Sequence, residues 1–223
     1  MNRLILIVIA LGLAWLGIRT ARSLLRAIPD RTRTRTRYLS LAAPLLTDRM
    51  ERTEPTGFAR MAGSHGGLRF DLQALPDTLA VRKLPVLWVM VTLTEPQDLV
   101  GETHVMARAT GQESFSRFGQ MPCEIGLPPG FPPDCTLRCS RPDAIPPPEV
   151  MERLAPLFRD PRMKEVVLSP QGLRLVVLGE EADRTSYLLF RDAELGAHPF
   201  PAERLQQMLA DLIELNRPQK APA

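Results

Sequence analysis

Residues Leu84 to Thr94 read LPVLWVMVTLT, and every position from Val86 to Val91 is apolar. The segment is too short for a membrane-crossing helix, which needs about 20 residues. Its valine and threonine content suits a pleated backbone, and a run that is apolar on both faces belongs at the centre of a sheet covered from both sides. Working outward, Thr103 to Ala109 is expected to pair with it as an antiparallel hairpin across the Glu95 to Glu102 connection. Leu68 to Leu72 alternates, with Leu68, Phe70 and Leu72 on one face, and predicts another strand. Before it, Tyr38 to Gly67 predicts a short helix bearing Leu39, Leu41, Leu45 and Leu46, then a polar loop ending in Gly63, Gly66 and Gly67.

Nine prolines lie between Pro122 and Pro148. Proline fixes φ and donates no backbone hydrogen bond, so this segment is expected to exclude helix, limit strand and divide the body into two lobes. Pro129 to Pro132 also satisfies P-x-x-P, although ordinary surface-loop use explains these prolines equally well. Further on, Met151, Leu154, Leu157 and Phe158 trace one helix face, with Pro156 announcing an early stop. Val166 to Leu168 and Leu173 to Leu178 predict strands across a turn at Ser169 to Gly172, and Tyr187 to Phe190 is a third candidate. Leu205, Met208, Leu209, Leu212 and Ile213 follow at helical spacing after Pro201.

The expected class is therefore α+β: a mainly antiparallel sheet with helices, preceded by a single transmembrane helix. The expected divisions are an anchor at 1–28, a basic linker at 29–37, a strand-rich lobe at 38–121, a proline-rich connection at 122–148, an αββ(β)α lobe at 149–216 and a disordered tail at 217–223.

The anchor rests on Leu4 to Ile18, which carries no charge and is followed by Arg19, Arg22, Arg26, Arg31, Arg33, Arg35 and Arg37. Its length lies between a spanning helix and the core of a signal peptide, but Arg19 and Arg22 interrupt the place of an A-x-A cleavage site. Arg19, Arg22 and Arg26 share one helical face, and Ala21, Leu24, Leu25 and Ile28 the other, so the helix end is expected to lie amphipathically among the headgroups. Arginine stems snorkel and lengthen the effective span. Basic residues near a span stay on the cytoplasmic side, which places the N-terminus outside and the body in the cytosol, at the inner (cytoplasmic) membrane. An exported body, with Arg3 as the n-region of a signal peptide, is the competing topology.

The Arg/Thr alternation from Arg31 to Arg37 has no apolar member and predicts an extended, solvated linker. Each arginine beside an anionic leaflet is worth about 1 kcal/mol, so all seven are candidate lipid-headgroup contacts. The body beyond residue 40 has more acidic than basic residues, so the net charge of +3 comes from the anchor and no nucleic-acid partner is expected. Ala10, Ala14, Gly17 and Ala21 fall within about a 60° strip of the anchor helix, a small-residue seam suited to packing against another membrane helix.

Catalytic and metal-binding motifs are missing from the sequence. Cys123, Cys135 and Cys139 form no complete disulfide framework and fit a reducing compartment. In a strand, Cys135 and Cys139 lie about 13 Å apart on one face at about 3.3 Å per residue, too far to grip one metal. His65, His104 and His198 occupy separate segments without zinc-site spacing. Ser64 beside His65 lacks a nucleophile elbow, Glu180, Glu181 and Asp183 suggest a solvated hairpin loop, and no phosphate-cradling glycine motif occurs. The expected function is a non-catalytic accessory subunit of a membrane complex, without cofactor or metal, contacting lipids and an integral membrane partner or a second copy. The alternatives are a membrane-tethered enzyme, whose first support would be a crevice holding His65 or His104, and an exported lipid-proximal binding domain.

Overall fold

The computed structural model describes residues 12–13, 15–19, 32–78, 84–110, 113–190 and 193–217. Among these residues nine strands form one sheet: β1 (Thr47–Thr53), β2 (Ala59–His65), β3 (Leu68–Asp77), β4 (Val86–Leu93), β5 (Thr103–Ala107), β6 (Cys123–Ile125), β7 (Cys135–Cys139), β8 (Met163–Ser169) and β9 (Gly172–Glu181). Their order is β1-β2-β3-β4-β9-β8-β5-β7-β6, and every neighbouring pair is antiparallel. The protein is thus a sheet-rich α+β structure, as its strand periodicities indicate.

The central position of β4 follows from its two apolar faces. Leu87, Val89, Val91 and Leu93 enter the main core, while Met90, with Trp88 beside it, joins a smaller cluster behind the sheet. The main core is closed by a 3₁₀ turn at Ser40–Leu45, a helix at Pro148–Leu154 that continues as a 3₁₀ turn at Ala155–Arg159, and the C-terminal helix Ala202–Leu215. Leu205, Met208, Leu209, Leu212 and Leu215 bury the inner stripe of that last helix, the amphipathic spacing visible in its sequence.

The expected β4–β5 hairpin does not form. β4 pairs with β9 along its whole length, from Val86↔Glu181 to Leu93↔Leu173, and β8 then separates β9 from β5. The five-residue β5 is too short to satisfy the backbone of an eight-residue strand, whereas β9 has ten residues. Strands from before and after the proline-rich segment are interleaved in this sheet, and that segment itself supplies β6 and β7.

Four other expectations are corrected. The polar stretch after the Ser40–Leu45 turn is the β1–β2 hairpin rather than a loop. β1 is an edge strand exposed at all seven positions and so carries no hydrophobic alternation. Tyr187 to Phe190 belongs to a helix, Arg184–Phe190, and Glu180 and Glu181 complete β9 instead of forming a loop. The basic linker is helical over 32–37 rather than extended. Arginine is a good helix former, and Thr36 Oγ1 donates to Arg33 O at 3.0 Å within the turn.

Among the described residues no helix is long and apolar enough to cross a membrane. Most of the expected anchor, including Ala10, Ala14, Ala21, Arg22 and Arg26, lies outside the described residues, as does Arg31 of the expected linker. Gly17 lies in the helical stretch 15–19 with open space around it. Arg19 stacks over Trp15 at 5.1 Å.

Candidate functional site

Behind the sheet, opposite the helices, the described residues at 108–110 and 113–121 lie across the strands as a strap. Phe115 and Phe118 press onto Met90, Met106 and Val176, with Phe115 and Trp88 ring centroids 4.9 Å apart. The strap brings Ser116 and Arg117 over a polar group that the sheet itself presents.

That group is centred on His104 of β5 and Glu165 of β8. Alternation along β5 sends Val105 and Ala107 to the main core and His104 and Met106 behind the sheet. In β8 the register skips between Met163 and Glu165, a bulge at Lys164 that re-aims the strand's side chains. His104 Nδ1 stands 2.7 Å from Glu165 Oε1, and His104 Nε2 stands 2.9 Å from Glu102 Oε1. Arg117 closes the chain with a 2.5 Å bond to Glu102 Oε2. Ser116 Oγ donates to Glu165 Oε1 and accepts the Phe118 backbone N–H at 3.0 Å.

Carboxylates only accept hydrogen bonds, so an imidazolium donating from both ring nitrogens satisfies this geometry. Arg117 and His104 then balance Glu102 and Glu165. The two central side chains are sealed, with 2% and 1% of their surfaces accessible for His104 and Glu165. A buried pair of this kind is held by its hydrogen bonds, and removal of one member leaves the other charged and unsolvated.

A cleft of about 400 Å³ opens beside the network, between the strap and the ends of β4, β8 and β9. Thr92, Ser169, Gln171 and Arg174 line its far wall, with Arg174 Nε donating to Thr92 Oγ1 at 3.0 Å.

A second buried charge pins the start of the strap. Lys164 Nζ donates to Ala107 O at 2.9 Å, Arg108 O at 2.8 Å and Glu113 Oε1 at 3.3 Å. Burial pushes the Glu113 carboxyl up, but hydrogen bonds from the Thr110 backbone and hydroxyl, together with the Lys164 ammonium, outweigh it and hold the group below its ordinary range.

Of the three histidines, only His104 enters this site. His65 ends β2 and contacts Leu45 O at 2.7 Å, which seats the β2 end against the Ser40–Leu45 turn. Glu102, Ser116, Arg117 and Glu165 were not singled out by the sequence. The alternate spacing of Glu102 and His104 was the one local signal, and nothing local joins them to Glu165. Cys135, Leu137 and Cys139 do share a face of β7, toward the main core, and burial raises the Cys135 thiol to about 11. Arg35 packs over Phe58 at 5.6 Å and donates to Thr56 O at 3.4 Å, while Arg33 and Arg37 are exposed.

Among the described residues no three His, Cys, Asp or Glu side chains are grouped to hold a metal ion. The two carboxylates on His104 meet opposite ring nitrogens and do not converge on one point. No family model and no curated protein matches this chain.

Proposed function

We propose that the protein is a single-pass, membrane-anchored accessory subunit, non-catalytic, whose body stands on the cytosolic face of the inner membrane. The observation that carries this reading is the continuity between the basic segment and the body. The helix over 32–37 runs into Tyr38 and Leu39, both buried in the main core, and Arg35 is clamped against Phe58 and Thr56. Six helical residues rise about 9 Å, and the four residues 28–31 reach at most about 14 Å. An anchor ending near Ile28 would therefore hold the domain close against the headgroups, with Arg33 and Arg37 turned to solvent at that end. Such a lever suits a subunit that presents its body to a membrane neighbour. Ala10, Ala14, Gly17 and Ala21 would supply the seam for an integral membrane partner or a second copy.

The polar network also supports a non-catalytic role. Ser116 gives its proton to Glu165 rather than to a histidine, and both nitrogens of His104 are engaged by carboxylates. No ring nitrogen is left to act as a general base toward the cleft.

The test is to wash membranes carrying the full chain with alkaline carbonate and to size the detergent-solubilised particle. The chain should remain in the pellet, and Ala14→Ile should reduce the particle to a single chain. Release of the intact chain by carbonate would overturn the anchoring, and an unchanged particle would overturn the seam.

A second reading, a membrane-tethered enzyme, is favoured by one observation. The cleft beside His104 gathers Glu102, Ser116, Arg117 and Arg174 around one opening. It requires turnover of some substrate by the full chain, abolished by Glu102→Gln.

A further inference from the structure

The geometry points to Cys123 and Cys139 as a dithiol that closes to a disulfide by exchange with a small-molecule or protein disulfide. Cys123 of edge strand β6 is directly opposite Cys139 of β7. Ser140 N–H donates to Glu102 O on the β5 side, so the backbone groups of Cys139 turn the other way, toward β6. The two cysteines are then a hydrogen-bonded antiparallel pair, whose Cα atoms stand about 5.5 Å apart. That spacing is the commonest for disulfide-linked residues, at about 5.5–6 Å. The side chains face each other on the core side of the sheet, and Cys139 Sγ donates to Cys123 O at 3.8 Å.

Exposure sets the order of events. Cys123 is half-buried and Cys139 is buried. Burial raises the Cys139 thiol, so little thiolate forms there first. Cys123 thiolate attacks one sulfur of an external disulfide R–S–S–R, forming a mixed disulfide and releasing one R–S⁻. Cys139 then loses its proton and attacks Cys123 Sγ, releasing the second R–S⁻. Two thiols are oxidised, one external disulfide is reduced to two thiols, and no other reactant is needed.

The closed pair would bear on the candidate site. The strap re-enters the sheet at β6, and β7 pairs with β5, which carries His104. Oxidation ties these together at one end of the strap.

The full chain in detergent micelles is incubated with oxidised glutathione, denatured, and its remaining thiols are alkylated. One alkylated cysteine per chain is expected, against three before oxidation. Cleavage after Arg117, Glu124 and Arg138 should leave residues 118–124 joined to the fragment that begins at Cys139. Cys123→Ser should leave two alkylated cysteines and no internal link, and Cys135→Ser should still close. Cys123 lies at a sheet edge, so the test does not depend on replacing the buried Cys139. Three alkylated cysteines after oxidation, glutathione retained on Cys123 without closure, or a link to Cys135 would each overturn the inference.

Discussion

His104 and Glu165, 61 positions apart in the chain, meet at 2.7 Å across two neighbouring strands with almost no exposed surface. Ser116 adds its hydroxyl to the same carboxylate oxygen, so one buried acceptor joins the sheet to the strap that crosses it. Glu165→Ala leaves His104 Nδ1 and the Ser116 hydroxyl proton without an acceptor in a sealed site and should lower the unfolding free energy by about 3–5 kcal/mol. Ser116→Ala removes two bonds, one to Glu165 Oε1 and one from the Phe118 N–H, and should cost about 1–3 kcal/mol. Urea unfolding of the two variants checks the ordering, and equal losses would show that Glu165 does not organise the group.

Lys164 is the partner of both Glu113 and two strand-end carbonyls. Lys164→Met should cost at least about 2 kcal/mol, because the buried Glu113 carboxylate loses its counter-charge and two backbone carbonyls lose a donor. Adding Glu113→Gln should recover part of that loss, since the neutral amide is cheaper to bury. A double-mutant cycle by urea unfolding measures the recovery, and strictly additive losses would refute the coupling.

Glu113 also predicts an acid dependence. Its folded value lies below the ordinary 4.5. Its contribution is therefore complete above the ordinary carboxylate range and is lost as pH falls through the folded value. Glu113→Gln should be less stable than the parent at neutral pH, and the two should converge in acid. Urea midpoints measured across that range provide the check, and a constant gap would contradict it.

Gly172 occupies φ +150, and a Cβ there would stand 2.1 Å from Leu93 O. Backbone cannot yield as a flexible side chain does, so Gly172→Ala should cost at least about 2 kcal/mol. Tm should fall by roughly 4 °C or more for a chain of this size. An unchanged Tm would mean that β9 can move away from β4 without loss.

The orientation proposed for the body makes a prediction for the cysteine pair in cells. A cytosolic body keeps Cys123 and Cys139 as thiols, and rapid alkylation of whole cells after acid quenching should modify all three cysteines. A body on the oxidising side of the membrane would yield the linked form.

The chain's local periods determined much of the fold by themselves. The two-sided run at Val86 to Val91 marked a central strand, and the spacing from Leu205 to Ile213 marked a helix with one buried face. Cys135 to Ser140 was readable as a strand because Pro132, Pro133 and Pro142 argue against helix, and alternation then sets Cys135, Leu137 and Cys139 on one side. These are properties of a few consecutive residues, which the backbone's geometry imposes before any long-range contact forms. β1 escaped because an exposed edge strand needs no apolar face, and the helix over 32–37 because arginine and threonine have no apolar rhythm to show.

Tertiary structure alone decided which strands became neighbours. β9 rather than β5 lies beside β4, a choice made by the match of strand lengths and by burial of Leu173, Leu175 and Val177 in the common core. From that choice follow the meeting of His104 with Glu165, the seat of Ser116 over them, and the cleft alongside. Cys123 and Cys139 likewise face each other only because β6 folds back on β7 across a proline-rich turn. Hydrogen bonds between distant strands leave no periodic trace in either strand, so pairing and the site it builds are settled by packing the whole sheet.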